Sequence, residues 1–440
     1  MLIRKGLIIL VAIVAGLTEI PAQASAFISV NNRTFQLNQR HYYFIGTNYW
    51  YGSLLGLEED KKRGAGRLRK ELDFLKANGV TNLRLMAGAE GAGVINGVER
   101  VGPALQTELG KFDEHALDGL DLILAEMAKR DMKAVIFFSN NWEWSGGFLQ
   151  YLIWNELVPP GMRTEKLTWD QLRDMGARFY VCYECKAGYF KQMRFVLDRT
   201  NKITGVKYTG DPTIMAWEIA NEPRPMRTGA NELYVQFIRD AAAEIKSRDK
   251  NHLVTIGHEG SIGTESMELF ERVHADPNVD YLTIHIWPKN WGWLEEGKAI
   301  EKSVQYIKDH VVVARRLNKP LVIEEFGLPR DVPLRRGEGE NGSIQNPKSK
   351  IQNVEPGSPT SLRDAYYRKI FSYVGKDVTG ANFWAFGGTA RPIKGQIFWK
   401  RGDQWMGDPP MEEQGLNSVF DVDRSTWNVI RAASRGLRRY

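Results

Sequence analysis

The 440-residue chain holds only two cysteines, Cys182 and Cys185, in a Cys-Tyr-Glu-Cys run. With no second Cys/His pair at zinc spacing, this run does not make a closed zinc site. A redox pair, half a metal site and a local disulfide remain open. A structural pair is expected, although two cysteines three apart on one helix would form a strained bridge. Long hydrophobic runs are equally scarce: Leu7 to Leu17 is too short for about 30 Å of hydrocarbon, and nothing comparable recurs. No Gly-rich phosphate loop follows a strand, and His258-Glu259 lacks the second His of a zinc-protease motif. No metal and no cofactor are therefore indicated. Internal repeats and Pro/Ser linkers are missing, so nothing marks a domain boundary. The net charge of +6 comes from Lys and Arg scattered along the chain. They form no basic stripe beside stacking aromatics, so no nucleic-acid partner is expected and the surface reads as solvated.

What is present begins with a leader-like N-terminus. Arg4 and Lys5 precede the apolar run, and Ala22-Gln23-Ala24 has the small-x-small form of a cleavage site. The expectation is a signal peptide over residues 1–24, a mature chain from Ser25, a secreted protein (extracellular or periplasmic) and no membrane insertion after cleavage. The remaining 416 residues, 25–440, suffice for one large domain.

Eight short apolar, β-branched or aromatic runs recur with helical stretches between them: Tyr43 to Thr47, Asn82 to Met86, Ala134 to Phe138, Ile214 to Ile219, Leu253 to Gly257, Tyr281 to Ile286, Leu321 to Glu325 and Ala381 to Phe386. Arg67 to Ala77, Leu117 to Lys129 and Leu233 to Lys246 repeat apolar residues at three and four, as amphipathic helices do. Eight β-α units with right-handed crossovers predict an α/β fold, a (β/α)8 TIM barrel. Phe27 to Val30 and Thr34 to Leu37, split by Asn31-Asn32-Arg33, predict an N-terminal β-hairpin at the barrel floor. The long loops Asn141 to Asp174, Asp331 to Thr360 and Arg391 to Asn417 are expected on the C-terminal face.

The runs share an ending. Asn48 and Trp50, Arg84, Asn140 and Asn141, Asn221 and Glu222, His258 and Glu259, His285 and Trp287, Glu325, and Trp384 all lie at or just past strand ends. In a parallel barrel this is the face that carries active sites. Glu222 closes the fourth strand and Glu325 the seventh, across the barrel mouth from each other. One carboxyl group to protonate a leaving oxygen and another to attack the anomeric carbon are what glycoside hydrolysis requires. Seven of the thirteen tryptophans (Trp50, Trp142, Trp144, Trp287, Trp291, Trp293 and Trp384) fall on this face, and indole faces suit the apolar faces of pyranose rings.

Several segments together resemble the β-mannanases of glycoside hydrolase family five: Gly46 to Trp50, Asn82-Leu83-Arg84, Asp211 to Arg224, Thr283 to Pro288, Glu324 to Gly327 and Asn382-Phe383-Trp384. The resemblance runs from about Phe27 to the C-terminus. It implies a retaining endo-1,4-β-mannanase acting on mannan, glucomannan or galactomannan, with Glu222 as acid/base and Glu325 as nucleophile. Glu324 is the alternative nucleophile, since by strand alternation only one of the two can face the bore. The resemblance further implies that Arg84 lies beneath the nucleophile and that Asn221 binds the sugar 2-hydroxyl. His285 would position a catalytic carboxylate, and Trp384, Trp287 and Trp50 would line the cleft. Members of the family often carry Tyr where this chain has Trp287. Two other readings stand beside it: a β-1,4-glucanase of the same clan, and a non-catalytic glycan-binding barrel.

Overall fold

The structure, a computed structural model, describes residues 27–159, 161–331 and 358–437. The expected leader and most of the Asp331 to Thr360 loop lie outside the described residues. All eight runs form strands: β1 (Phe44–Asn48), β2 (Asn82–Met86), β3 (Lys133–Phe137), β4 (Ile214–Glu218), β5 (Leu253–Thr255), β6 (Leu282–Ile286), β7 (Leu321–Phe326) and β8 (Gly380–Phe383). They pair in parallel in the order β5-β4-β3-β2-β1-β8-β7-β6. Every strand residue is buried, because helices cover the outer face and neighbouring side chains fill the bore.

No backbone ladder joins β5 to β6 among the described residues. Asp280 and two hydroxyls close that seam instead. The Asp280 amide donates to the Val254 carbonyl at 2.8 Å and its carboxylate accepts from the Val254 amide at 2.6 Å. The Thr255 hydroxyl donates to the Tyr281 carbonyl at 3.0 Å, and the Thr283 hydroxyl accepts from the His258 amide at 2.7 Å. The result is a nearly closed eight-stranded (β/α)8 barrel, as the strand spacing predicts. The three amphipathic stretches form helices Ala65–Ala77, Asp118–Ala128 and Asn231–Arg248.

The floor is more elaborate than a hairpin. Ser29–Asn31, Thr34–Leu37 and Arg40–Tyr42 form a three-stranded meander, whose polar third strand carries no hydrophobic alternation to announce it. Phe35 packs edge-on to Tyr281 and, with Ile28, joins Phe44, Val135, Met215 and Val322 in a second core that stops the barrel bottom.

Cys182 and Cys185 form a disulfide. The strain expected along one helix does not arise, because the helical-looking segment breaks at Cys182. That residue is extended (φ −72°, ψ 107°) between helices Trp169–Val181 and Tyr183–Leu197, and its sulfur accepts from the Cys185 amide. At the other end, the eighth run stops at Phe383. Phe386–Gly388 forms a separate strand with Val419–Phe420, which ties down the Arg391 to Asn417 loop. Asp408 shapes that loop by accepting from the amides of Gly415, Asn417 and Ser418.

Candidate active site

The site begins with an irregularity in β7. Ile284 of β6 faces Ile323, but His285 faces Glu325, so Glu324 is an extra residue with no partner across the ladder. A bulge of this kind suspends strict alternation. The expectation that only one of the two glutamates can address the bore is corrected accordingly. Arg84 is hydrogen-bonded to Glu325 and lies 3.8 Å from Glu324. Glu325 stands at the mouth beside Glu222, whereas Glu324 lies deeper, near Glu218, Tyr281 and His285.

Glu222, at the end of β4, adopts φ +51°, a left-handed conformation that costs a non-glycine residue about 1–2 kcal/mol. The turn brings its carboxyl group among two indole donors and an imidazole nitrogen. One oxygen accepts from the Trp142 indole at 2.6 Å and the other lies 2.7 Å from His285 Nδ1. The Trp287 indole supplies a further hydrogen bond. The same His285 nitrogen is 3.3 Å from Glu325 Oε2. One oxygen from each glutamate and a nitrogen of His285 all lie within 4.8 Å of one another. Among the described residues, this is also the only trio of side chains placed to hold a metal ion.

Arg84 is the hub below them. Its Nε and Nη2 grip Glu218 at 2.8 and 2.5 Å, Nη1 reaches Asn48 Oδ1 at 2.9 Å as well as Glu325, and Nη2 reaches Asn221 Oδ1 at 2.7 Å. Asn221 donates one amide hydrogen to Asn140 Oδ1 at 3.0 Å, which leaves the second uncommitted. Gly257 admits Glu218 to this layer. A Cβ there would sit 2.0 Å from the Glu218 carboxylate, and its φ of +84° suits glycine.

Of the residues expected from sequence, Arg84, Asn221, Glu222, His285 and Glu325 converge here. Trp287 and Trp384 meet edge to face at 5.8 Å, and the Trp384 indole N–H has no protein partner. Trp50 is a correction. It is 0% exposed, packed edge-on against Trp144 and Trp405, and its indole donates to the Gly407 carbonyl, so it has no face to offer a ligand. It anchors the Arg391 to Asn417 loop.

Burial pushes the carboxyl groups of both Glu222 and Glu325 upward, and the charge of Glu222 raises Glu325 further. Arg84 opposes this at Glu325, which it touches. At Glu222 the more distant Arg224 and the Trp142 N–H oppose it. A buried pair of this kind retains a proton, and direct contact with the guanidinium favours the ionised form at Glu325 over Glu222. Burial, reinforced by Arg84, holds His285 well below the usual imidazole range, so its ring is neutral.

Sequence reasoning passed over several contributors. Trp142 was one tryptophan among seven, although its place directly after Asn140-Asn141 at the end of β3 was a usable signal. Arg224 lies over the rings of Trp142 and Trp169 at 5.1 and 5.6 Å and is held by Glu259. Glu412, in the long C-terminal loop, is pushed up to about 8 by burial and by Asp408 and Glu222, with Lys289 opposing. No periodicity or motif pointed to it.

Residues 25–440 match a family model described as glycoside hydrolase family 5 β-mannosidase-like. A glycoside hydrolase family 5 mannosidase from Rhizomucor miehei, solved in complex with mannosyl-fructose, superposes with a TM-score of 0.79 at 30% identity, covering 94% of this chain and 97% of that one. Mannan endo-1,4-β-mannosidase 1 of Oryza sativa subsp. japonica is 27% identical over 98% of this chain and 90% of its own. An endo-1,4-β-D-mannanase from Thermotoga petrophila shares the fold at 23% identity, with a TM-score of 0.65, covering 90% of this chain and 99% of its own.

Proposed function

The chain belongs to the glycoside hydrolase family 5 β-mannosidase-like family, and from that membership we propose that it hydrolyses β-1,4-mannosidic bonds in mannan, glucomannan or galactomannan as a retaining endo-1,4-β-mannanase. One observation carries the reading: Glu222 and Glu325 face each other with oxygens within 4.8 Å. That spacing supports double displacement, for which the carboxyl groups stand about 5–5.5 Å apart, over inversion, which needs about 6.5–9.5 Å to admit a water.

Glu222, holding its proton beside neutral His285, protonates the glycosidic oxygen. Glu325, kept ionised by Arg84, attacks the anomeric carbon and forms the glycosyl-enzyme. Glu222 then takes a proton from the water that releases the sugar. The second amide hydrogen of Asn221 is available to the sugar 2-hydroxyl, a contact that strengthens as the ring flattens. Trp384 and Trp287 supply apolar faces for the sugar.

Mannose and glucose differ at carbon two, and a site built to hydrogen-bond that hydroxyl leaves a buried group unpaired with the wrong epimer. Catalytic efficiency on β-1,4-mannan chains is expected to exceed that on cellulose chains by at least about 100-fold, the effect of one or two polar contacts. Assays of new reducing ends on mannan, glucomannan and cellulose side by side test this. Equal rates, or release from β-1,4-glucan alone, would favour the glucanase reading, and no release at all the glycan-binding barrel. Chain-end attack is a second reading, favoured by the Rhizomucor miehei mannosidase and by the loop that brings Glu412 close to Glu222. Release of mannose alone from long chains would establish it, whereas mixed oligosaccharides support endo action.

Export is part of the proposal, supported by Arg4, Lys5, the Leu7 to Leu17 run and Ala22-Gln23-Ala24. Mass spectrometry of exported protein should find Ser25 at the N-terminus. Retention of Met1 would refute cleavage.

A further inference from the structure

Glu324 has no part in the two-carboxylate chemistry, yet it is almost fully buried, and neither of its oxygens has a hydrogen-bond partner within normal reach. The same holds for Nε2 of His285, a ring with no exposed surface. These two unsatisfied groups face each other: Nε2 lies 3.8 Å from Glu324 Oε2. On the other side of the ring, Nδ1 lies 2.7 Å from Glu222 Oε1. His285 thus stands in line between the acid/base and a second carboxyl group lying deeper in the barrel.

A neutral imidazole carries one proton, and the environment chooses which nitrogen holds it. With the proton on Nδ1, the ring would donate to Glu222 or Glu325, a bare Nε2 lone pair would point at a carboxyl oxygen, and Glu222 would be favoured as carboxylate. With the proton on Nε2, it points at Glu324 Oε2, and the Nδ1 lone pair is free to accept the Glu222 proton.

We propose that Glu324 is a positioning residue that accepts the Nε2 hydrogen of His285 and so fixes the tautomer whose Nδ1 holds the proton on Glu222. The proposal rests on the reading of Glu222 as the acid. Charge balance supports it. Glu218, Glu222, Glu324 and Glu325 gather around the single guanidinium of Arg84, and Arg84 bonds directly to Glu218 and Glu325. The two protons that relieve this crowding fall to Glu222 and Glu324. A protonated Glu324 can share its proton with Glu218, which lies beside it as Tyr281 does, and keeps an oxygen for His285. The donors then run from Glu222 through His285 and Glu324 to the Glu218 carboxylate, which also accepts from Arg84. The other groups bearing on His285 are Arg84, Glu325 at 3.3 Å, Arg224 and Glu259, the last two paired with each other, and His258, itself held neutral by burial. None of these meets Nε2.

Two substitutions separate this role from simple packing. A Gln amide reproduces a protonated Glu, with a carbonyl to accept and an N–H to donate, whereas Leu keeps the bulk and removes both. Glu324→Gln is expected to retain kcat and KM on β-1,4-mannan within about 2-fold, with an unmoved pH profile. Glu324→Leu is expected to move the alkaline limb of kcat/KM down by at least about one pH unit, a loss of about 10-fold on that limb, with KM unchanged. The tautomer is read directly by NMR with 15N-histidine labelling of the whole protein, independently of any substrate. The His285 resonances should report the Nε2–H form in the wild type and in Glu324→Gln, and a shift toward Nδ1–H in Glu324→Leu. An Nδ1–H form in the wild type overturns the proposal even if the Leu variant does not fold. So does a Glu324→Leu enzyme that is slower equally at every pH, or a Glu324→Gln enzyme as impaired as the Leu variant. An inactive protein with the expected tautomers would instead count against the mannanase reading and leave the positioning intact.

Discussion

Glu325→Ala is expected to lower kcat on β-1,4-mannan by at least about 10⁴-fold, because on the proposed double displacement it removes the nucleophile and what survives is binding and electrostatic help alone. Its neighbour across the mouth should fail differently. Glu222→Ala loses nearly as much on mannan but is partly spared on aryl mannosides whose leaving group departs without a proton. Trapping with a 2-fluoro-mannoside should label a single peptide, the one containing Glu325. A dead Glu324→Ala beside an active Glu325→Ala would reverse the assignment within the pair. The structure weighs against that outcome, since Glu325 shares the 4.8 Å cluster with Glu222 and His285.

The second large effect falls on Arg84. Arg84→Met is expected to cost about 3–5 kcal/mol of stability, because Glu218 and Glu325 are left buried without their cation. Their response is to take up protons, and a protonated Glu325 is no nucleophile. Turnover should therefore fall by about 10³-fold or more, equivalent to about 4 kcal/mol in the barrier. Arg84→Lys keeps one charge but cannot grip Glu218 with two nitrogens while reaching Glu325 and Asn221 with the others, so it should lie between the wild type and Met. Urea unfolding and kcat on mannan measure the two losses separately. An Arg84→Met enzyme within tenfold of wild type would mean that the guanidinium does not set the charge of Glu325.

Much of this arrangement was legible because the barrel repeats. Each run of β-branched and aromatic residues ends in a polar group, and knowing that β4 and β7 face each other across the mouth was enough to bring Asn221-Glu222 together with Glu325. The role of Arg84 followed from the family resemblance, although it is the third of the five residues of β2 and not its last. Other features were hidden for identifiable reasons. Alternation assigns each residue of a strand to one face, and it fails at Glu324 because a bulge is set by pairing across the ladder, which a single strand does not reveal. Trp50 has the composition of a sugar platform, but its burial depends on Trp144, Trp405 and Gly407, the last two far away in the chain. Glu412 reaches the site only because Asp408 folds its loop back, through hydrogen bonds that leave no mark in hydrophobic pattern. The break at Cys182 was hidden because the residues on both sides favour helix.

The extra residue in β7 has a consequence for how such a barrel can change over generations. An ordinary strand position cannot be lost without turning every later side chain to the opposite face. Glu324 is exempt: it has no partner on β6, and the ladder resumes at Glu325 as if it were not there. Deleting it would bring Ile323 and Glu325 together in regular pleat while Glu325 kept its place opposite His285. The chain therefore carries one carboxylate locked into the ladder and, next to it, one that selection can add or discard without rebuilding the fold.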